Sequence, residues 1–80
     1  FMALQLNIVS PEKELFNGEV SQVTLPGLLG QFTILPNHAP IVSSLKKGEI
    51  IYVAGNKECK LEINGGFVEL SNGNVSVCVS

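Results

Sequence analysis

Apolar and polar residues alternate with a period of two along much of this chain. Leu4, Leu6 and Ile8 interleave with Gln5 and Asn7; Cys59, Leu61 and Ile63 with Glu58, Lys60 and Glu62; Val75, Val77 and Val79 with Asn74, Ser76, Cys78 and Ser80. Neighbouring side chains of a strand point to opposite faces, so each segment predicts a strand with one dry and one wet face. A longer strand is drawn over residues 15–25, where the alternation changes phase between Val20 and Val23, as a bulge or sharp bend requires. Apolar stretches at 32–35, 50–54 and 67–70 predict three more strands.

Turn formers separate these runs: Ser10-Pro11, Pro26-Gly27, Gly30, Pro36-Asn37, Pro40, Lys47-Gly48, Gly55-Asn56, Asn64-Gly65-Gly66 and Asn72-Gly73. Gly and Asn reach positive φ at low cost and Pro removes a donor, so each cluster favours a turn. Gly55-Asn56 and Asn72-Gly73 predict tight hairpins. No stretch keeps a helical apolar stripe. Without crossover helices the strands are expected to pair antiparallel, as an all-β sandwich or compact barrel.

Composition narrows the picture further. Eighty residues, 45% hydrophobic and 15% charged, suffice for one domain and are too apolar for a disordered tail. No apolar run approaches the roughly 20 residues of a membrane-spanning helix, and no secretory leader is visible. Phe1 ahead of Met2 reads as an addition, which gives a single domain over 2–80. Net charge is −2, with five Lys and no Arg. Scattered lysines without the bidentate guanidinium argue against nucleic acid as a partner. Cys59 and Cys78 lack CxxC spacing and point to a reducing compartment. Asn74-Val75-Ser76 matches a glycosylation sequon and reads as chance.

Catalytic chemistry finds little support. His38 is the one histidine and there is no Asp, so a Ser-His-Asp triad cannot be assembled. Cys59 shares the dry face with Leu61 and Ile63, where a thiol is inert, so a Cys59–His38 pair is rejected. One His and two distant Cys fall short of a zinc site. The sequence Pro26-Gly27-Leu28-Leu29-Gly30 is too short for a phosphate-cradling loop and reads as a β-turn. Leu28 and Leu29 nevertheless occupy a turn tip, where polar residues are expected. Either they fold back as a lid over the sandwich end, or they stand exposed as a docking edge.

Five ordered segments carry a resemblance. Val9-Ser10-Pro11-Glu12; Leu15-Phe16-Asn17-Gly18-Glu19-Val20; Gly30-Gln31-Phe32-Thr33-Ile34-Leu35-Pro36-Asn37-His38-Ala39-Pro40; Lys47-Gly48-Glu49-Ile50; and Gly65-Gly66-Phe67-Val68-Glu69-Leu70 with Asn74-Val75 resemble the amino-terminal domain of the epsilon subunit of F-type ATP synthase. The resemblance implies an antiparallel β-sandwich of about ten short strands. It also implies a non-catalytic central-stalk subunit of a bacterial F1Fo ATP synthase, without cofactor or metal, coupling ion translocation to ATP synthesis. Such a subunit grips gamma, rests on the polar loops of the membrane c-ring, and lies peripherally at the cytoplasmic face of the inner membrane. Carried over, the c-ring contacts are Gly27, Leu28, Leu29, Gly30 and Gln31, with Asn37, His38, Ala39 and Pro40 alongside. The gamma contacts are Ser10, Val42, Val77 and Val79.

Gln31, Thr33 and Asn37 depart from the family's common residues, an acidic side chain at the first and Gly at the other two. Gln31 would exchange a salt bridge for a neutral hydrogen bond. Thr33 suits a regular strand, and Asn37 can still take a left-handed turn. Family members often continue into two carboxy-terminal helices that restrain hydrolysis and can bind ATP. This chain ends at Ser80 and is expected to do neither. The alternative reading is a free-standing β-sandwich module for a small ligand or peptide. Against it, Phe16, Phe32, Tyr52 and Phe67 are spread over separate strands rather than converging.

Overall fold

The computed structural model describes residues 3–80; Phe1 and the proposed start at Met2 lie outside the described residues. Nine strands follow in order: β1 Leu4–Val9, β2 Glu14–Val20, β3 Gln22–Gly27, β4 Gly30–Ile34, β5 Ile41–Leu45, β6 Gly48–Ala54, β7 Lys57–Ile63, β8 Gly66–Ser71 and β9 Asn74–Val79. They form one curled sheet in the order β2-β1-β9-β8-β5-β3-β6-β7, with β4 added on β3. The curl makes two layers, β2-β1-β9-β8-β5 and β4-β3-β6-β7. At one corner they are linked by the single pair Gly27↔Leu45.

The second corner explains the phase change near Val20. Residues 15–25 contain two strands: Val20 pairs with Leu4 of β1, whereas Gln22 pairs with Val53 of β6. Ser21 carries the chain between layers, its N–H donating to the Val53 carbonyl at 2.9 Å. Both Val20 and Val23 can therefore face the interior. β5 was not foreseen, because Ile41-Val42-Ser43-Ser44-Leu45 has no clean alternation: Val42 points outward and Ser43 stands in the inward set.

Pairing is antiparallel except between β1 and β9, which run parallel from Gln5↔Asn74 to Val9↔Cys78. This corrects the all-antiparallel expectation. The two strands come from opposite ends of the chain, and no short turn between them imposes direction. The hairpins follow their turn chemistry. Asn72 (φ 51°) and Gly73 (φ 77°) make the type I′ connection of β8 and β9, and Gly55 (φ 67°) opens the β6–β7 turn. Asn37, at φ 71°, is the third residue of a type II turn closed by His38 N–H to the Leu35 carbonyl.

The interior is aliphatic. In one layer Ile8, Val77 and Val68 lie in register, as do Leu6, Val75 and Leu70; Val23, Leu25, Ile34 and Ile50 answer from the other, all nearly fully buried. Phe16 of β2 meets Tyr52 of β6 with ring centroids 4.5 Å apart and planes tilted by 45°, which ties the layers together at that side. Cys59 packs against this core, as its alternation predicts.

Gly66 is required by geometry. It sits at φ +148°, and a Cβ there would collide with the carbonyl of Cys78 across the β8–β9 ladder. Gly66→Ala is expected to lower stability by about 3 kcal/mol in a urea titration, whereas Gly73→Asn, with open space around its Cβ and a residue tolerant of positive φ, should cost far less.

Candidate functional site

The described residues carry no assembled reaction centre. His38 lies on the exposed loop between β4 and β5, its Nδ1 2.7 Å from the Ala39 carbonyl. A carbonyl only accepts, so the ring donates from Nδ1. Neither Cys59 nor any hydroxyl is its partner among the described residues. No group of three or more His, Cys, Asp or Glu is placed to hold a metal ion there. No helix there is long and apolar enough to cross a membrane.

The surface instead offers apolar contact points. Leu28 is 59% exposed and Leu29 fully so, while Leu35, Val42 and Phe67 also stand open. The lid reading of the two leucines is therefore wrong. They form the two-residue tip between β3 and β4, flanked by the pair Gly27↔Gly30. Neither leucine takes positive φ, and nothing in the turn itself calls for leucine rather than a polar residue. Gly27 holds the tip tightly, since a Cβ there would press on the Gly30 carbonyl and the Phe32 ring at 2.8 and 2.9 Å. Leu28 N–H reaches the Ser44 carbonyl at 3.2 Å, fixing the tip against β5.

The residues predicted to meet the ring fall into two places. Gly27, Leu28, Leu29, Gly30 and Gln31 share the β3–β4 tip. Asn37, His38, Ala39 and Pro40 lie beyond the other end of β4, where Asn37, His38 and Pro40 line a depression with Asn72 and Gly73 of the β8–β9 turn. The length of β4, roughly 15 Å at about 3.3 Å per residue, separates the Leu28-Leu29 tip from the Asn37 turn. They are not one cluster.

Ser10 closes the β1–β2 turn, its Oγ accepting the Lys13 N–H at 3.3 Å, and Val42 projects outward from β5. Val77 and Val79 do not reach the surface. They are 1% and 7% exposed and belong to the core, so their side chains cannot meet a partner. The outward side chains of β9 are Asn74, Ser76 and Cys78. Registers align Val9 with Cys78 and Cys78 with Phe67, a short apolar row on the outer face that sequence reasoning missed. Phe67 looked like core by residue type, yet it alternates with buried Val68 and so had to face out.

Thr33 is explained by its cross-strand partner. Thr24 and Thr33 face each other on β3 and β4 with hydroxyls 2.9 Å apart, which stabilises a regular strand where a glycine would not.

Among the described residues the two-layer β-fold exposes apolar side chains at the β3–β4 tip and on the outer face and brings no reaction centre together. Residues 3–80 match the family described as ATP synthase, Delta/Epsilon chain, beta-sandwich domain. The chain belongs to that family. It is 42% identical over 74 residues to the ATP synthase epsilon chain of Maricaulis maris, covering 92% of this chain and 56% of that one. It is 43% identical over 74 residues to the epsilon chain of Leptospira interrogans, covering 92% and 58%. The chain thus spans little more than half the length of these relatives. Its fold superposes on a chain of the Euglena gracilis mitochondrial ATP synthase with a TM-score of 0.91 at 21% identity, covering 99% of this chain and 51% of that one.

Burial raises the pKa of Tyr52, with a smaller contribution from neighbouring Cys59. The folded state then holds the phenolic proton more tightly than the unfolded chain. Its stabilising contribution is complete below the unfolded value of 10.0 and is lost as pH rises through the folded value. Tyr52 is the single tyrosine and there is no Trp, so a phenolate absorbance titration reads it alone. The midpoint is expected above 10.0, and Tyr52→Phe should flatten the alkaline decline in stability.

Proposed function

We propose that this chain is a non-catalytic rotor element of a bacterial F1Fo ATP synthase, seated between the gamma subunit and the c-ring and carrying torque between them. The observation that supports this most is the match over residues 3–80 to the delta/epsilon sandwich, with bacterial epsilon chains at 42–43% identity. The physical features agree with the role. A close-packed aliphatic interior resists deformation and passes strain from one face to another, and the large apolar exposures sit at the tip, on the outer face and, as Leu35, beside the Asn37 turn, where partners can cover them.

The ring contact is assigned to the tip, with Leu28 and Leu29 as apolar anchors and the Gln31 amide in place of a charge. Gamma is assigned to the outer row of Val9, Cys78 and Phe67, bordered by Ser10 and Val42. The turn of Asn37, His38, Ala39 and Pro40, a strand length from the tip, is left for a second contact within the rotor. In this reading the chain works at the cytoplasmic face of the membrane, held there by its partners. The ligand-module alternative gains no support: partly buried Phe16 is paired with core Tyr52, and the aromatic rings do not converge on one depression.

Mixed with its cognate gamma subunit, the chain should co-elute in gel filtration, and Phe67→Glu should weaken that association at least tenfold. Leu28→Ser with Leu29→Ser should leave stability within about 0.5 kcal/mol and gamma binding intact while weakening capture by detergent-solubilised c-ring. Failure of folded gamma to co-elute would count against the rotor assignment.

A further inference from the structure

Asn-Gly occurs three times in this chain, at Asn17-Gly18, Asn64-Gly65 and Asn72-Gly73. Each pair is open to the same reaction between its own atoms. The glycine nitrogen attacks Cγ of the asparagine; a C–N bond forms, the bond from Cγ to Nδ2 breaks, and that nitrogen leaves as ammonia with the peptide proton. Water then opens the resulting imide at one of its two carbonyls, which gives aspartate or isoaspartate. Glycine permits the attack because no Cβ stands in the way. Three further conditions are structural: a glycine N–H free of hydrogen bonds, an asparagine amide equally free, and a backbone able to bring the nitrogen round to the side of Cβ.

The fold separates the three pairs. Gln5 N–H donates to the Gly73 carbonyl on the β9 side, and backbone groups alternate sides along a strand, so Leu6 turns its own toward β2. Leu6↔Gly18 is then a bonded pair, and the Gly18 N–H is held by the Leu6 carbonyl. Asn17 Oδ1 accepts from Gln5 Nε2 at 2.8 Å. Asn17 is thus locked twice. Asn72 lies in the left-handed region at φ 51°, as the first central residue of the type I′ turn, where ψ is about +30° by mirror symmetry with type I. That ψ sets the Gly73 nitrogen nearly opposite Cβ. The Ser71↔Asn74 pair and the Gln5 bond to the Gly73 carbonyl, at 2.9 Å, keep it there.

We infer that Asn64 is the site at which this folded protein loses a side-chain amide to its own backbone and becomes aspartate or isoaspartate. Asn64 and Gly65 form the arch from β7 to β8, strands of different layers that do not pair with each other. Asn64 is exposed and lies outside the left-handed region that constrains Asn72. Among the described residues no hydrogen bond engages its side chain or the Gly65 N–H. Two bonds tie the arch, from Asn64 N–H to the Ser80 carbonyl at 3.3 Å and from Ser80 N–H to the Gly65 carbonyl at 3.1 Å. Neither occupies the reacting atoms. The new carboxylate arises in the depression lined by Lys47, Glu49 and Glu62, at the end of the sandwich that carries the Leu28-Leu29 tip, since Leu45 pairs with both Gly27 and Gly66. This chemistry needs no partner and is independent of the rotor reading.

Peptide mapping by mass spectrometry, on the purified chain aged at neutral pH in its folded state, tests the assignment. Amide loss at Asn64 is expected at least tenfold faster than at Asn72 or Asn17, with isoaspartate among the products. In concentrated urea, where no fold distinguishes the three Asn-Gly pairs, their rates should converge. Asn64→Gln, whose longer side chain has to close a larger ring, should remove the early acidic species from ion-exchange profiles and leave the circular dichroism spectrum unchanged. If Asn72 or Asn17 loses its amide first, or all three lose it at one rate in the folded chain, the assignment to Asn64 is overturned. The same holds if Asn64 stays intact over a period in which the unfolded chain loses it. Should Asn64→Gln not fold, the mapping of the unaltered chain decides.

Discussion

Inward packing of aliphatic side chains from two layers of one curled sheet is the constraint on which the rest of this molecule depends. Leu6, Ile8, Val68, Val75 and Val77 from one layer, with Val23, Leu25, Ile34 and Ile50 from the other, leave almost no surface to water. Because strand side chains alternate strictly, burying these positions forces their neighbours outward. Phe67 and Cys78 face out for that reason, and Val77 and Val79 are closed to any partner. The surface chemistry is thus a consequence of the core, and a one-residue slip of β8 or β9 would exchange the two.

Close-packed interiors deform little, so the loops at either end of the sandwich are held at a fixed separation. The Leu28-Leu29 tip is braced by Gly27 and by the bond from Leu28 to Ser44; the turn at Asn37 is set by Pro36 and a left-handed residue. Apolar side chains at such a tip are costly to leave in water, and rigid mounting lets them meet a partner without paying for loop ordering. That combination suits a coupling element, which must engage two neighbours without yielding between them.

The period-two segments made β1, β7 and β9 legible in the sequence, and the turn residues located both tight hairpins. The phase change near Val20 announced the corner at Ser21. β5 was hidden because Val42 points outward and Ser43 inward, which leaves no alternation to read. The parallel pairing of β1 with β9 was invisible as well, since it joins the two ends of the chain and no local turn signals it. Leu28 and Leu29 marked the tip as unusual, but local sequence carries no signal that separates exposure from back-folding; in the structure both stand exposed, with Leu28 N–H bonded to the Ser44 carbonyl. Val77 and Val79, named from the resemblance as gamma contacts, point inward on β9. Alternation already assigned those valines to the core.

The central claim, a stiff sandwich held between gamma and the ring, is tested most directly by a cryo-EM map of the cognate ATP synthase with this chain in place. Density for the sandwich is expected in the central stalk, with Leu28 and Leu29 against the ring loops and the row through Cys78 and Phe67 covered by gamma. A sandwich docked elsewhere in the complex, or one with both the tip and that row open to solvent, would contradict it.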